Sequence, residues 1–217
     1  MNMNQYPKST RSTVKRSAKR SHYDRATIYP ILDAGFLCHV GFTIGEQPYV
    51  LPNAYGREGD TLYLHGAVGN RMLHQLERGL PVCITVTHTD GIVLARSVFH
   101  HSFNYRSVVA FGTARLVPDE QKEPALRLIT EQILKGRWEE ARAPSEPELR
   151  ATKVLAVAIE EASAKVRTGP PKDEAADYAL PIWAGVLPLE AVANQAIPDP
   201  KMTASLPVPD SVRRVFP

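Results

Sequence analysis

The chain has no apolar run near the roughly 20 residues that a helix needs to cross a membrane. It has only two cysteines, Cys38 and Cys83. Both sit in strand-like apolar stretches without C-x-x-C spacing, so buried free thiols and a reducing cytoplasm are the expectation. H-E-x-x-H and H-x-x-x-H are missing, which removes the common zinc arrangements. G-x-S-x-G is missing, which removes the nucleophile elbow, and G-x-G-x-x-G is missing, which removes dinucleotide binding in the Rossmann mode.

Acidic residues are absent before Asp24, while Lys8, Arg11, Lys15, Arg16, Lys19 and Arg20 all precede it. The remainder carries 20 basic against 23 acidic side chains, so the net charge of +3 resides in this arm. Residues 1–21 lack apolar periodicity, which predicts a disordered basic arm. They have neither the apolar core of a secretory signal nor the apolar stripe of a transit peptide. Nucleic-acid binding by the arm is disfavoured against a solvated tail. From Ile197 the chain has five prolines in 21 residues, predicting an extended tail over 196–217.

The chain as a whole is 43% hydrophobic and 23% charged, the composition of an ordinary globular protein, and residues 22–195, between these ends, are long enough for one core. Asp24 is placed to cap a short helix that stops at Gly35. Strands are predicted at 36–44, 49–55, 61–64, 82–89, 92–97, 105–116 and 154–160, with a bend or bulge at Gly112. Helices are predicted at 70–78, 122–134 and 146–153, the second burying Leu126, Ile129 and Ile133. Short strands at this spacing with few helices point to a small closed barrel.

The stretch Tyr49–Arg71 joins two strands to a glycine-rich corner, His65-Gly66-Ala67-Val68-Gly69-Asn70-Arg71, that runs into a helix. Strand, glycines and a helix start with a cation can cradle a phosphate; the same pattern also suits a plain hairpin leading into a helix.

Eight segments, LCHVGF (37–42), PYVLPNAY (48–55), LYLHGA (62–67), GNRMLHQL (69–76), PVCITVT (81–87), LARSVFHHSFNYRSVVAFG (94–112), SAKVRTGPP (163–171) and PIWAGVLPL (181–189), carry a resemblance in this order. They resemble the flavin-binding split-barrel superfamily of pyridoxamine 5′-phosphate oxidase, in its nitroimidazole-resistance-type branch. The resemblance implies a mainly β fold, a six-stranded antiparallel split β-barrel with flanking helices. It implies FMN as cofactor, a homodimer, and a reductase or oxidase acting on a small-molecule substrate with NAD(P)H or a reductase as electron donor. By position, Val50, Leu51, Pro52 and Asn53 would contact the flavin ring. His65 and Gly66 would stand where the third strand meets the phosphate, with Asn70 and Arg71 on the phosphate side. Tyr105, Arg106 and Ser107 match the start of the strand that approaches the flavin, and Trp183 matches an aromatic near it from either subunit. An FMN phosphate needs charge-assisted donors, which Arg71 and Arg106 can supply. The basic residues that handle pyridoxal phosphate find no counterpart, so vitamin B6 oxidation is not implied.

Two other readings stay open. One is a non-catalytic flavin carrier or sensor. The other is a haem-binding split-barrel protein, for which His39, His65, His88, His100 and His101 are the histidines to weigh.

Overall fold

The computed structural model describes residues 4–202 and 205–215. Residues 1–3, at the start of the expected basic arm, and 203–204 and 216–217, within the expected tail, lie outside the described residues.

The elements run β1 (Ser21–His22), α1 (Arg25–Asp33), β2 (Leu37–Ile44), β3 (Gln47–Glu58), β4 (Thr61–Ala67), α2 (Arg71–Leu76) and β5 (Pro81–Leu94). They continue with β6 (Ser102–Leu116), α3 (Asp119–Ile133), α4 (Arg137–Glu140), α5 (Glu146–Ala151), β7 (Thr152–Arg167), β8 (Gly185–Pro188) and α6 (Asp210–Arg213). Hydrogen bonding links β7, β4, β3, β2, β5 and β6 in that order, and β6 pairs back to β7. This closed circuit of six strands is the split barrel expected from the sequence. The pairs β2–β5, β3–β4, β4–β7 and β5–β6 are antiparallel, and β1 and β8 are added on β7 and β5. Among the described residues no helix is long and apolar enough to cross a membrane.

The chain divides into two interleaved compact units. The first holds the described residues up to Pro52, with Pro81–Thr113 and Ile159–Glu190. Its core takes alternate residues of each strand: Cys38, Val40 and Phe42 of β2, then Val82, Ile84 and Val86 of β5. The buried parity of β5 then switches to Gly91 and Val93. The cause is a bulge: Thr89 pairs with Tyr105 and Gly91 with Asn104, leaving Asp90 as the extra residue. The irregularity expected at Gly112 is therefore on the neighbouring strand, since Gly112 sits in regular register opposite Val82. α1 follows its cap as expected, with Asp24 Oδ1 accepting from the Thr27 amide at 2.8 Å.

The arm differs from its expectation. Tyr6 and Ser12 are buried, and the Tyr6 amide donates to the Tyr23 carbonyl at 2.9 Å. Lys8 lies over the Tyr23 ring and Arg25 over the Tyr6 ring, each 4.3 Å from the centroid. Arg11 pairs with Glu161 at 2.9 Å. Two tyrosines that can each take a cation on the ring face supply docking surface that a count of large aliphatic residues overlooks.

The second unit holds Asn53–Leu80, Ala114–Ala158 and the described residues from Ala191 onward. β3 continues to Glu58, past the strand end expected at Tyr55, because Gly56 is a strand residue against α3. The turn falls at Gly59, whose φ of +54° suits glycine. α3 buries Ala125 and Ile129 against the strands, while Ile133 is exposed. Within the tail, Ser211 of α6 is buried and its amide donates to Glu140 Oε1 at 3.0 Å.

Candidate functional site

The second unit carries the glycine corner. Asn53 Nδ2 donates to the His65 carbonyl at 3.2 Å, which ties β3 to the end of β4. Asn70 is the cap of α2: its Oδ1 accepts from the Leu73 amide at 3.3 Å. That cap leaves Asn70 only its Nδ2 to offer a ligand. A Cβ on Gly66 would stand 3.2 Å from Asn70 Nδ2 and 3.0 Å from Leu73 Cδ1, so glycine is needed for the close approach of strand and helix. Gly69 faces open space and Arg71 is exposed as the first helical residue. The structure thus brings Asn53, His65, Gly66, Asn70 and Arg71 into one neighbourhood around the end of β4.

His65 Nδ1 is buried and has no hydrogen-bond partner among the described residues. Burial lowers the His65 pKa, so the folded protein keeps this ring neutral where the unfolded chain is already taking up a proton. The sign follows: the associated stability is intact above about 6.5 and is lost as pH falls from there to the lowered folded value. A plot of melting temperature against pH should decline through this window, and His65→Gln should flatten it. Equal slopes would mean that the imidazole titrates freely in the fold.

In the first unit, Val50, Leu51 and Pro52 of β3 are exposed, Val50 by 66%. Tyr105, Arg106 and Ser107 stand opposite Thr89, His88 and Thr87 on β5. Arg106 is engaged by Asp90: its Nη2 donates to Oδ1 at 2.8 Å and its Nε to Oδ2 at 3.0 Å. This pair lowers the Asp90 pKa and raises that of Arg106. The bulge thus supplies a carboxylate to Arg106, the side chain expected from the sequence as a phosphate donor. Ser107 Oγ donates to the Lys165 carbonyl at 3.4 Å. Trp183 is 69% exposed, its ring lying over Gly185, where a Cβ would come within 2.9 Å.

Sequence reading passed over the polar cluster at the end of β7. Arg167 is buried; its Nη1 donates to Asn104 Oδ1 and to the Gly169 carbonyl, and its Nη2 to the Pro170 carbonyl at 3.3 Å. The signal available was Arg167-Thr168-Gly169-Pro170, a cation followed at once by a turn. Cys38 is fully buried and its thiol is pushed up to about 12, so it is no nucleophile at neutral pH. Among the described residues no group of three or more His, Cys, Asp or Glu is placed to hold a metal ion.

A six-strand circuit with a glycine corner at the end of β4 is the architecture of a known class. Residues 24–166 match the family model of pyridoxamine 5′-phosphate oxidase, and the chain belongs to that family. Among solved structures, it resembles the flavocytochrome Anf3 from Azotobacter vinelandii at 39% identity and TM-score 0.89, over 95% of this chain and 97% of that one. It also resembles the FAD and haem binding protein from Mycobacterium smegmatis at 37% identity and TM-score 0.87, over 91% and 97%. A protein from Bacteroides thetaiotaomicron described for 5-nitroimidazole antibiotic resistance shares 29% identity at TM-score 0.56, over 67% and 86%. No curated protein matches the chain.

Proposed function

We propose that this protein is a flavin-binding redox protein, a reductase or oxidase of small molecules. The observation that carries the reading is near-full-length similarity to two proteins, one described as a flavocytochrome and one as binding FAD and haem. The glycine corner fits the phosphate of the FMN half, which FMN and FAD share. Gly69 leaves room for an anion, and Asn70 Nδ2 and Arg71 are donors beside it. The exposed apolar run Val50–Pro52 suits a flat ring. When bound, the flavin would supply hydride and single-electron chemistry. The residues of this chain would hold its phosphate, orient the ring and keep it apart from bulk water.

The test is the absorbance spectrum of the purified protein. Flavin bands that bleach under anaerobic NAD(P)H or a reductase support the reading. Flavin that no donor reduces leaves a carrier, and a colourless protein that rejects both FMN and FAD sinks the proposal. Arg71→Ala should weaken flavin binding by roughly 10–150-fold, the loss of one charge-assisted contact. Unchanged affinity in a fluorescence titration would remove Arg71 from the site.

A second reading adds a haem beside the flavin, favoured by the descriptions of the same two relatives. His65, with its buried and unpartnered Nδ1, is the histidine that would ligate the iron of such a haem, which would supply one-electron chemistry. A Soret band that disappears in His65→Ala would support it. Assembly as a two-fold dimer belongs to the same proposal. Phe36, Leu37, Val50 and Leu51 of the first unit are 41–66% exposed, apolar surface that a second copy would cover. Light scattering showing a flavin-loaded monomer would rule it out.

A further inference from the structure

The basic arm, which the flavin reading leaves without a task, ends at a cleft in the first unit. The cleft has a volume of about 580 Å³, and its walls include Arg16, Arg20, His100, His101, Arg167 and Lys172. None of its described lining residues is acidic. Glu174 stands outside the lining, 3.6 Å from His100 Nε2. Four fixed cations around one concavity repel one another unless an anion joins them.

Arg167 makes the site more than a surface patch. It is 93% buried by residue, and its Nη groups meet two backbone carbonyls and a neutral amide oxygen. Its Nε is buried with no hydrogen-bond partner among the described residues. The turn at Gly169, with φ of +95°, leads the chain around Arg167 and brings these carbonyls to it. Carbonyls orient a guanidinium without neutralising it. Burial and the neighbouring Arg20 both disfavour its charge, which an anion in the cleft would compensate.

We propose that this cleft binds a phosphorylated small molecule of the nucleoside diphosphate class. The volume lies in the range of small-molecule sites, roughly 300–1,000 Å³. Arg16, Arg20 and Lys172 supply charge to a diphosphate, and Ser102 and Thr168 add hydroxyl donors. Phe99, in the same wall and 86% exposed, offers a ring face on which a base can stack. A carboxylate alone would leave this ring and most of the cations unused. The diphosphate has two sources, a free nucleotide or the ADP half of a dinucleotide flavin.

Calorimetry with ADP and with inorganic pyrophosphate tests the proposal on the protein as purified and after removal of any flavin. Both probes should bind, more weakly as salt rises. Arg16→Ala combined with Arg20→Ala should weaken each at least 10-fold with an unchanged melting temperature, since Tyr6, Arg11 and Ser12 still hold the arm. Lys172→Ala, outside the arm, should weaken them as well, which separates loss of charge from undocking. ADP binding to the purified protein identifies a free nucleotide. ADP binding only after flavin removal, with the double variant losing affinity for FAD but not FMN, identifies the flavin's own diphosphate. Only this last arm rests on the flavin reading. Absence of pyrophosphate binding in both states, or equal binding by the variants, overturns the proposal.

Discussion

A protein lacking residues 1–21 should melt roughly 3–12 °C below the full-length chain. The arm buries Tyr6 to 3% exposure and covers Tyr23 to 7%. Full burial of one large apolar side chain contributes about 1.5–3 kcal/mol. Each cation over an aromatic face adds about 0.5–1 kcal/mol, and the deletion removes Lys8 from Tyr23 and Tyr6 from Arg25. The Arg11–Glu161 pair is solvent-facing and adds only about 0.2–1 kcal/mol. The amide of Val14 donating to the Tyr23 hydroxyl at 2.9 Å and the pairing of Ser21 with Lys165 would also be lost. Backbone entropy opposes ordering of the arm, so the expected net loss is set at the burial of one large apolar side chain, about 1.5–3 kcal/mol. For a chain of this size each kcal/mol moves the midpoint by about 2–4 °C. A thermal melt of the truncated protein decides it, and an unchanged midpoint would mean that the arm is undocked in solution.

Gly56→Ala should destabilise the second unit by about 1–3 kcal/mol, and Gly56→Leu should prevent folding. A Cβ at position 56 would stand 2.8 Å from Ile129 N and from Leu128 C, and 2.9 Å from Ile129 Cα. These are backbone atoms of α3, so no rotamer change relieves the contact. The helix must move outward, opening the packing of Ile129, which is 2% exposed. Denaturant unfolding of Gly56→Ala against Gly59→Ala separates the two glycines. At Gly59 nothing lies within 4 Å, and the penalty there comes from φ alone. Equal losses at both sites would show that α3 does not press on Gly56.

The pH prediction for His65 and the flavin test for Arg71 concern the end of β4, whose parts were largely legible from local chemistry. Asn70 caps α2 because its amide oxygen reaches an amide three residues on, a contact decided within one turn. Asp24 caps α1 for the same reason. The period-two alternation of β2 and of the first half of β5 follows from apolar residues placed on every second position. Those rules act over a few residues, so they can be read along the chain.

Four features could not be read that way, because each depends on residues far apart in sequence. The parity switch at Asp90 exists only in the pairing of β5 with β6, and Asp90 then occupies the guanidinium of Arg106, 16 residues away. Gly56 belongs to a strand because α3 covers it, so a residue type that signals a turn marks a close approach here. Arg167 is buried beside Asn104, 63 positions earlier, at a place where a lone arginine predicts a solvated surface. The arm has the composition of a disordered segment, yet Tyr23 and Glu161 receive it. Composition measures the surface that a segment can bury by itself, and the complementary surface on the first unit supplies the rest. Local propensity and spacing therefore determined most of the strands and the longer helices, the cap of α1 and the glycine corner, while β5 runs unbroken over the two strands expected at 82–89 and 92–97. Tertiary packing decided which charges are paired, which glycine is covered, and that the basic arm brings two of its arginines to one cleft.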